Sequence, residues 1–223
     1  MSYLKFIIKH MIDMPKTIWY NFKILPLKQA IRLPILFTHN TKIAEIHKGS
    51  IEIDADEIRP FGIKIGIKGV EGISSERKSY IFISNKSKII FKGKATLTKG
   101  ISIRATGEII FGKNFYSNCN LSIVCGSNIS IGNNVLLGWN VHIRDCDGHS
   151  IYKDGIRVNP SSKIIIGNKV WVGQDVKLLK GISIGNDSVI AMNSCVTKSF
   201  EDNNIVIGGY PAKIINTDIK WEV

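Results

Sequence analysis

Acidic side chains are scarce in this chain. Eighteen Asp and Glu stand against thirty Lys and Arg, a formal net charge of +12 at pH 7. That surplus favours anionic partners: nucleic acid, an acidic membrane face, a phosphorylated cofactor or a polysaccharide. Cysteine is scarce as well, with only Cys119, Cys125, Cys146 and Cys195 and no CxxC among them. A disulfide framework is not expected in a chain that is 44% hydrophobic, and the pattern suits an intracellular setting. No apolar run reaches the roughly 20 residues of a transmembrane helix, and the opening lacks a signal-peptide pattern. Proline is sparse, yet Pro15, Pro26 and Pro34 all fall near the start, where they break any long helix.

What is present begins with an unusual first segment. Residues 1–42 carry seven basic side chains and one acid, Asp13, with aromatic and aliphatic residues between them. Two readings fit: packing on the protein itself with solvated lysines, or peripheral contact with an anionic membrane.

From about residue 89 the chain acquires a period of six. Ile166, Val172, Leu178, Ile184, Ile190 and Val196 stand six apart, as do Phe91, Leu97, Ile103 and Ile109 upstream. Shorter series follow at Phe111, Ser117, Ile123 and Ile129, then at Ile131, Leu137 and Ile143. An α-helix would return apolar residues at three and four, so the period excludes it. Three short extended segments joined by tight corners instead close a triangular coil of about eighteen residues, and several stacked coils bury a core. The register slips by two at 109/111 and at 129/131, which makes those coils about twenty residues long. A β-sandwich is disfavoured, because its strands do not return the same residue class every six positions. The coils present flat ladders that suit lateral packing of identical chains.

Four segments result: a basic apolar piece at 1–44, irregular first strands or coils at 45–88, the solenoid at 89–200, and a terminal turn and element at 201–223. The gap from Ile131 to Ile166 holds one coil and an excursion of about seventeen residues, at roughly 144–161. That excursion contains "RDCDGHS", with Asp145, Cys146, Asp147 and His149 in five positions. A metal site would need a second group of ligands at workable spacing, and none exists, so no metal is expected. Cys146 as a nucleophile would need a setting that favours the thiolate.

The hexapeptide series, "VWVG" at 170–173, "SVIAMNSCVTKSF" at 188–200 and "IGGYPAKII" at 207–215 together resemble the left-handed β-helix acyltransferases. The likeness is strongest to bacterial sugar and polysaccharide O-acetyltransferases, and it covers about residues 89–215. It implies an all-β, left-handed parallel β-helix with an N-terminal extension, one excursion loop and a short C-terminal element. It also implies a homotrimer, acetyl-CoA as acyl donor, and a catalytic histidine on the excursion loop, which falls on His149. A neutral imidazole can take the proton of a sugar hydroxyl as it attacks the thioester. Asp145 or Asp147 is expected to orient that ring, or each to cap the loop.

Trp139, Asn140 and His142 precede the excursion and are candidates for the acceptor site, with packing between subunits as the alternative for Trp139 and a surface or subunit-interface position for His142. By the same likeness, Trp171 lies beside the donor's thiol arm. Gly173 and Ala191 permit close approach of that arm, and Lys198 and Lys213 meet its phosphates. Tyr210 stands where the family pattern has asparagine. The expected activity is O-acetylation of a sugar or surface polysaccharide in the cytoplasm, peripheral to the inner membrane. An N-acyltransferase of amino sugars and a non-catalytic binding solenoid are the alternatives. Nucleic acid is disfavoured, because basic and aromatic residues do not interleave on one face.

Overall fold

The computed structural model describes residues 6, 8–69 and 75–222. The chain winds as a left-handed parallel β-helix whose three walls are stacked parallel ladders. Sheet 1 begins with Ile35–Phe37 and Ile63–Ile67 and runs through Leu136–Leu137, Trp171–Val172 and Val189–Ile190 to Val206–Gly209 and Ala212–Asn216. Sheet 2 runs from Thr41–Glu45 through His142–Arg144 and Lys177–Leu179 to Cys195–Val196. Sheet 3 runs from Ile51–Ile53 through Asn128–Ile131 and Ile164–Ile166 to Ser183–Ile184.

The six-residue series are the inward positions of these walls. Ile166, Val172, Leu178, Ile184, Ile190 and Val196 are all buried, each facing the next coil's equivalent. Ile109 lies beside Ile129 and Ile166 beside Ile184, so the earlier coils are twenty residues long and the later ones eighteen. The ladders start at Ile35 rather than near residue 89. Residues 35–88 escape the sequence pattern because their coils are much longer: Ile35 stacks on Ile63, Ile63 on Ala95 and Ile51 on Ile89, so the segments between strands break the step.

From Asn114 onward, two corners of each coil turn through a left-handed residue, a conformation that Asn and Asp tolerate better than other side chains. Asn114, Asn134, Lys169, Asp187 and Asn204 occupy the turn from sheet 3 to sheet 1, and Asn120, Asn140, Asp175 and Asn193 the turn from sheet 1 to sheet 2. Each later corner donates its N–H to the coil before, as Asn140 does to Cys119 O at 3.0 Å and Asp175 to Trp139 O at 2.9 Å. Side chains add a second ladder, from Ser75 through Asn120 and Asn140 to Asp175.

Helix α1 (Met14–Ile24) and the short α2 (Leu27–Ala30) close the first coil. An open edge strand exposes unpaired backbone groups. Here Asn21 donates Nδ2–H to Ile35 O at 2.7 Å and accepts Ile35 N–H on Oδ1 at 3.2 Å. Thr17 Oγ1 does the same for Phe37, donating to its carbonyl and accepting its N–H. Two polar side chains thus stand in for a missing strand. Asp13, just before α1, is buried between His10 Nδ1 at 2.6 Å and His39 Nδ1 at 2.8 Å, and also accepts the His39 N–H. Burial alone would raise its pKa, but these hydrogen bonds outweigh it and hold the carboxyl below its ordinary 3.8. At the other end, Ala212–Asn216 folds back antiparallel on Val206–Gly209. All four cysteines are free, and no helix among the described residues is long and apolar enough to cross a membrane.

Replacing Asn21 by Ala orphans both backbone groups of Ile35, and is expected to cost about 1–3 kcal/mol of stability in urea titrations. Asp13 stabilises the fold through its ionised form. Its contribution is present above pH 3.8 and is lost as pH falls through the lowered folded value. Asp13→Asn should therefore lower stability at neutral pH and flatten its decline below pH 4, both measurable by thermal melts across pH.

Candidate functional site

The excursion leaves sheet 2 after Arg144, at the third corner of the coil. In the coil below, the corresponding corner is made by Gly126 and Ser127, whose N–H groups would ordinarily face the next coil's backbone. The departing chain takes that backbone away. Asp145 replaces it: its fully buried carboxylate accepts Gly126 N–H at 2.6 Å and Ser127 N–H at 2.8 Å. Its own carbonyl accepts Ser162 N–H at 2.9 Å, so the two ends of the loop are tied at one point.

Between those ends the loop forms a small hairpin, Tyr152–Lys153 against Ile156–Arg157. Asp154 and Gly155 turn it with positive φ at both, the geometry that Asp-Gly favours. Asn159 organises the rest. Its Oδ1 accepts Ile151 N–H at 2.6 Å, while its Nδ2 donates to Asp147 Oδ2 at 2.9 Å and to the His149 carbonyl at 2.8 Å. Asp147 also pairs with Lys180 Nζ at 2.5 Å, which ties the loop to sheet 2 and, first among its causes, holds the carboxyl below its ordinary value.

His149 is therefore fixed through its backbone while its side chain stays exposed. Neither aspartate touches the ring among the described hydrogen bonds, which corrects the expectation that one of them orients it. Asp145 is committed to the corner and Asp147 to Asn159 and Lys180. The sequence reading missed Asn159, whose signal was slight: an Asn before Pro160 at the loop's far end. Cys146 sits beside Asp145, and burial, then that carboxylate, raises its thiol pKa. A thiolate is disfavoured there. Among the described residues, no cluster of His, Cys, Asp and Glu could hold a metal ion.

Beside the loop's base, a shallow groove on sheet 2 is lined by Arg144, Cys146, Asp147, Leu179, Lys180 and Thr197. His142 lies on the same wall, pointing outward between Ser122 and Lys177 in register. Partial desolvation, then Lys177, lowers its pKa, which favours the uncharged ring. Trp139 and Asn140 sit one corner earlier. Asn140 is committed to the side-chain ladder, and Trp139 Nε1 is buried with no partner among the described residues.

The expected donor-side residues lie one to three coils on. Trp171 is half-exposed on sheet 1, its ring 6.1 Å from that of Trp221 at a 44° tilt. Trp221 is buried there and donates Nε1–H to Lys169 O at 3.1 Å. Gly173 has a structural reason to be glycine: a Cβ would lie 2.7 Å from Met192 N and 2.9 Å from Ile190 O of the next coil. Close stacking of coils accounts for it, without any ligand. Ala191 is half-buried next to Gly208, with its N–H on Ile207 O. Lys213 is exposed on the returning strand of sheet 1. Lys198 lies at a different corner, its ammonium 5.5 Å over the Phe200 ring. Trp171, Ala191 and Lys213 thus share one wall of the upper coils, while His142 and the loop belong to another.

A family model described as a hexapeptide repeat of succinyl-transferase matches residues 163–198. The chain is 33% identical over 158 residues to the putative lipopolysaccharide biosynthesis O-acetyl transferase WbbJ of Escherichia coli (strain K12), covering 63% of this chain and 80% of that protein. It is 41% identical over 111 residues to the galactoside O-acetyltransferase of the same strain, covering 48% of this chain and 53% of that one. The chain thus spans about half the length of the galactoside enzyme. Among solved structures, the polySia specific acetyltransferase NeuO superposes with a TM-score of 0.60 at 24% identity, covering 82% of this chain and 76% of that one. That likeness bears on the fold.

Asp145→Ala should leave the Gly126 and Ser127 N–H groups without their carboxylate partner and cost about 1–3 kcal/mol. Hydrogen exchange should show the loop base and the Gly126–Ser127 corner opening together. Cys146→Ser should leave stability within about 1 kcal/mol of the parent, and mass spectrometry should find no acyl adduct on the native Cys146 after exposure to acetyl-CoA.

Proposed function

Since the chain belongs to the hexapeptide-repeat acetyltransferases, we propose that it moves an acetyl group from acetyl-CoA to a hydroxyl of a sugar or surface-glycan precursor. The observation that carries the reading is His149, an exposed imidazole on a loop whose base and backbone are both tied down. Such a group is accessible to an acceptor and yet held at a constant position, as proton transfer requires.

In the proposed reaction His149 takes the hydroxyl proton as the acceptor oxygen attacks the thioester carbonyl. The carbon–sulfur bond then breaks, the ester remains on the sugar, and the thiol of coenzyme A leaves with the proton. No enzyme nucleophile is needed, which agrees with the disfavoured Cys146 thiolate. His142 and Arg144 flank the groove and supply polar contacts to the acceptor. Asn159 holds the His149 main chain through its carbonyl. Trp171, Ala191 and Lys213 line the wall proposed for the donor, and Lys213 is the cation placed there to meet a phosphate.

The net charge of +12 suits an anionic or lipid-linked glycan, handled in the cytoplasm at the inner face of the membrane. A homotrimer is the proposed assembly. The flat outer ladders support lateral packing of identical chains.

With acetyl-CoA and a panel of sugars and glycans, free-thiol release should reveal the acceptor. His149→Ala should lower kcat about 10²–10⁴-fold while its melting temperature stays that of the parent. His142→Ala should act mainly on the KM of the acceptor. Mild alkali separates ester from amide products, and an alkali-stable product, or full activity in His149→Ala, would refute the assignment.

A further inference from the structure

Helix α1 has its polarity reversed. Thr17, Asn21 and Ile24 form its buried stripe, and the first two are polar because they serve the open backbone of Ile35–Phe37. The apolar residues consequently fall on the outer face. Ile18 and Phe22 are nearly half exposed and Trp19 is 66% exposed. The same surface continues through Met11 and Ile12 before the helix and Leu27 and Ile31 after it, each more than 60% exposed. A helix end with this much outward apolar surface is a contact surface for something outside the fold.

Its rim is cationic. Lys9, Lys23, Lys28 and Arg32 are exposed around it. Asp13, the only acid in residues 1–42, is buried and engaged with His10 and His39. A groove whose lining includes Lys9, Ile12, Lys64, Lys68 and Lys99, together with Asp13 and its partner His39, opens beside the patch, with Ile12 common to both. A second copy placed face to face would bring two cationic rims together. An anionic bilayer instead offers hydrocarbon to the apolar centre and phosphates to the rim and groove, and Trp19 has the amphipathic ring that favours such an interface.

We propose that this end of the solenoid is a docking surface for an anionic lipid bilayer, with α1 lying in the interface plane and the lysine groove receiving lipid phosphates. The solenoid axis then points away from the membrane. The proposal gives a structural basis to the membrane-proximal setting suggested above, and does not depend on acetyl transfer.

Co-sedimentation of the full chain with vesicles tests it without reading turnover. Binding is expected to vesicles containing phosphatidylglycerol, weak or absent with phosphatidylcholine alone, and weakened by salt. Trp19→Ser with Phe22→Ser should lower the partition coefficient about tenfold or more. Lys68→Gln and Lys99→Gln should each lower it about fivefold. All four side chains reach the surface, so the melting temperature should be unchanged. If the aromatic pair alters folding, Leu27→Ser with Ile31→Ser makes the same measurement. Equal binding to neutral vesicles, or no binding to anionic ones, overturns the proposal. So does a lipid-free dimer that the Trp19 and Phe22 substitutions dissociate, because a second copy would then cover the face.

Discussion

The regular part of the structure, from Asn114 onward, depends on the left-handed residue that turns two of the three corners in each coil. Without it the chain could not close a triangle in eighteen or twenty residues, and the inward positions would not stack. Asn and Asp fill almost all of these corners because their short polar side chains tolerate positive φ and bond to the neighbouring coil. The Asn120, Asn140 and Asp175 ladder does both at once. The apolar core supplies most of the driving force, but the corners decide that the core is a prism.

The same requirement shapes the places where stacking stops. A parallel ladder interrupted at any point leaves N–H and carbonyl groups without partners, and each interruption here is mended by a polar side chain or a returning strand. Thr17 and Asn21 complete the first edge strand, Ala212–Asn216 folds over the last, and Asp145 fills the gap where the loop departs. The candidate site grows from the third of these repairs. Because Asp145 and Ser162 tie the loop's ends, Asn159 can fix its interior, and His149 is presented without a carboxylate holding its ring. The reversed polarity of α1 grows from the first, since a helix that turns polar residues inward must turn its apolar ones out.

Much of the solenoid was legible because its period is short and its inward residues are apolar. Ile166 through Val196 could be counted and were found stacked. The excursion and its histidine were legible as a break in that count. The coils before residue 89 were not, since long segments between their strands, as from Ile35 to Ile63 and from Ile51 to Ile89, remove the step that counting relies on. Gly173 was read as room for a ligand, whereas the next coil's backbone occupies that space.

The sequence by itself determined the repeat, the walls it builds, the site of the excursion and the cationic, apolar character of the first segment. These are local properties, carried by residue class and spacing. Only the tertiary structure decided that Asp145 belongs to the corner, that Asp147 belongs to Lys180 and Asn159, and that Thr17 and Asn21 face inward. Each of those assignments depends on which backbone groups lack a partner once the coils are stacked. Which groups those are is settled between coils eighteen to thirty-five residues apart, and no local pattern records it.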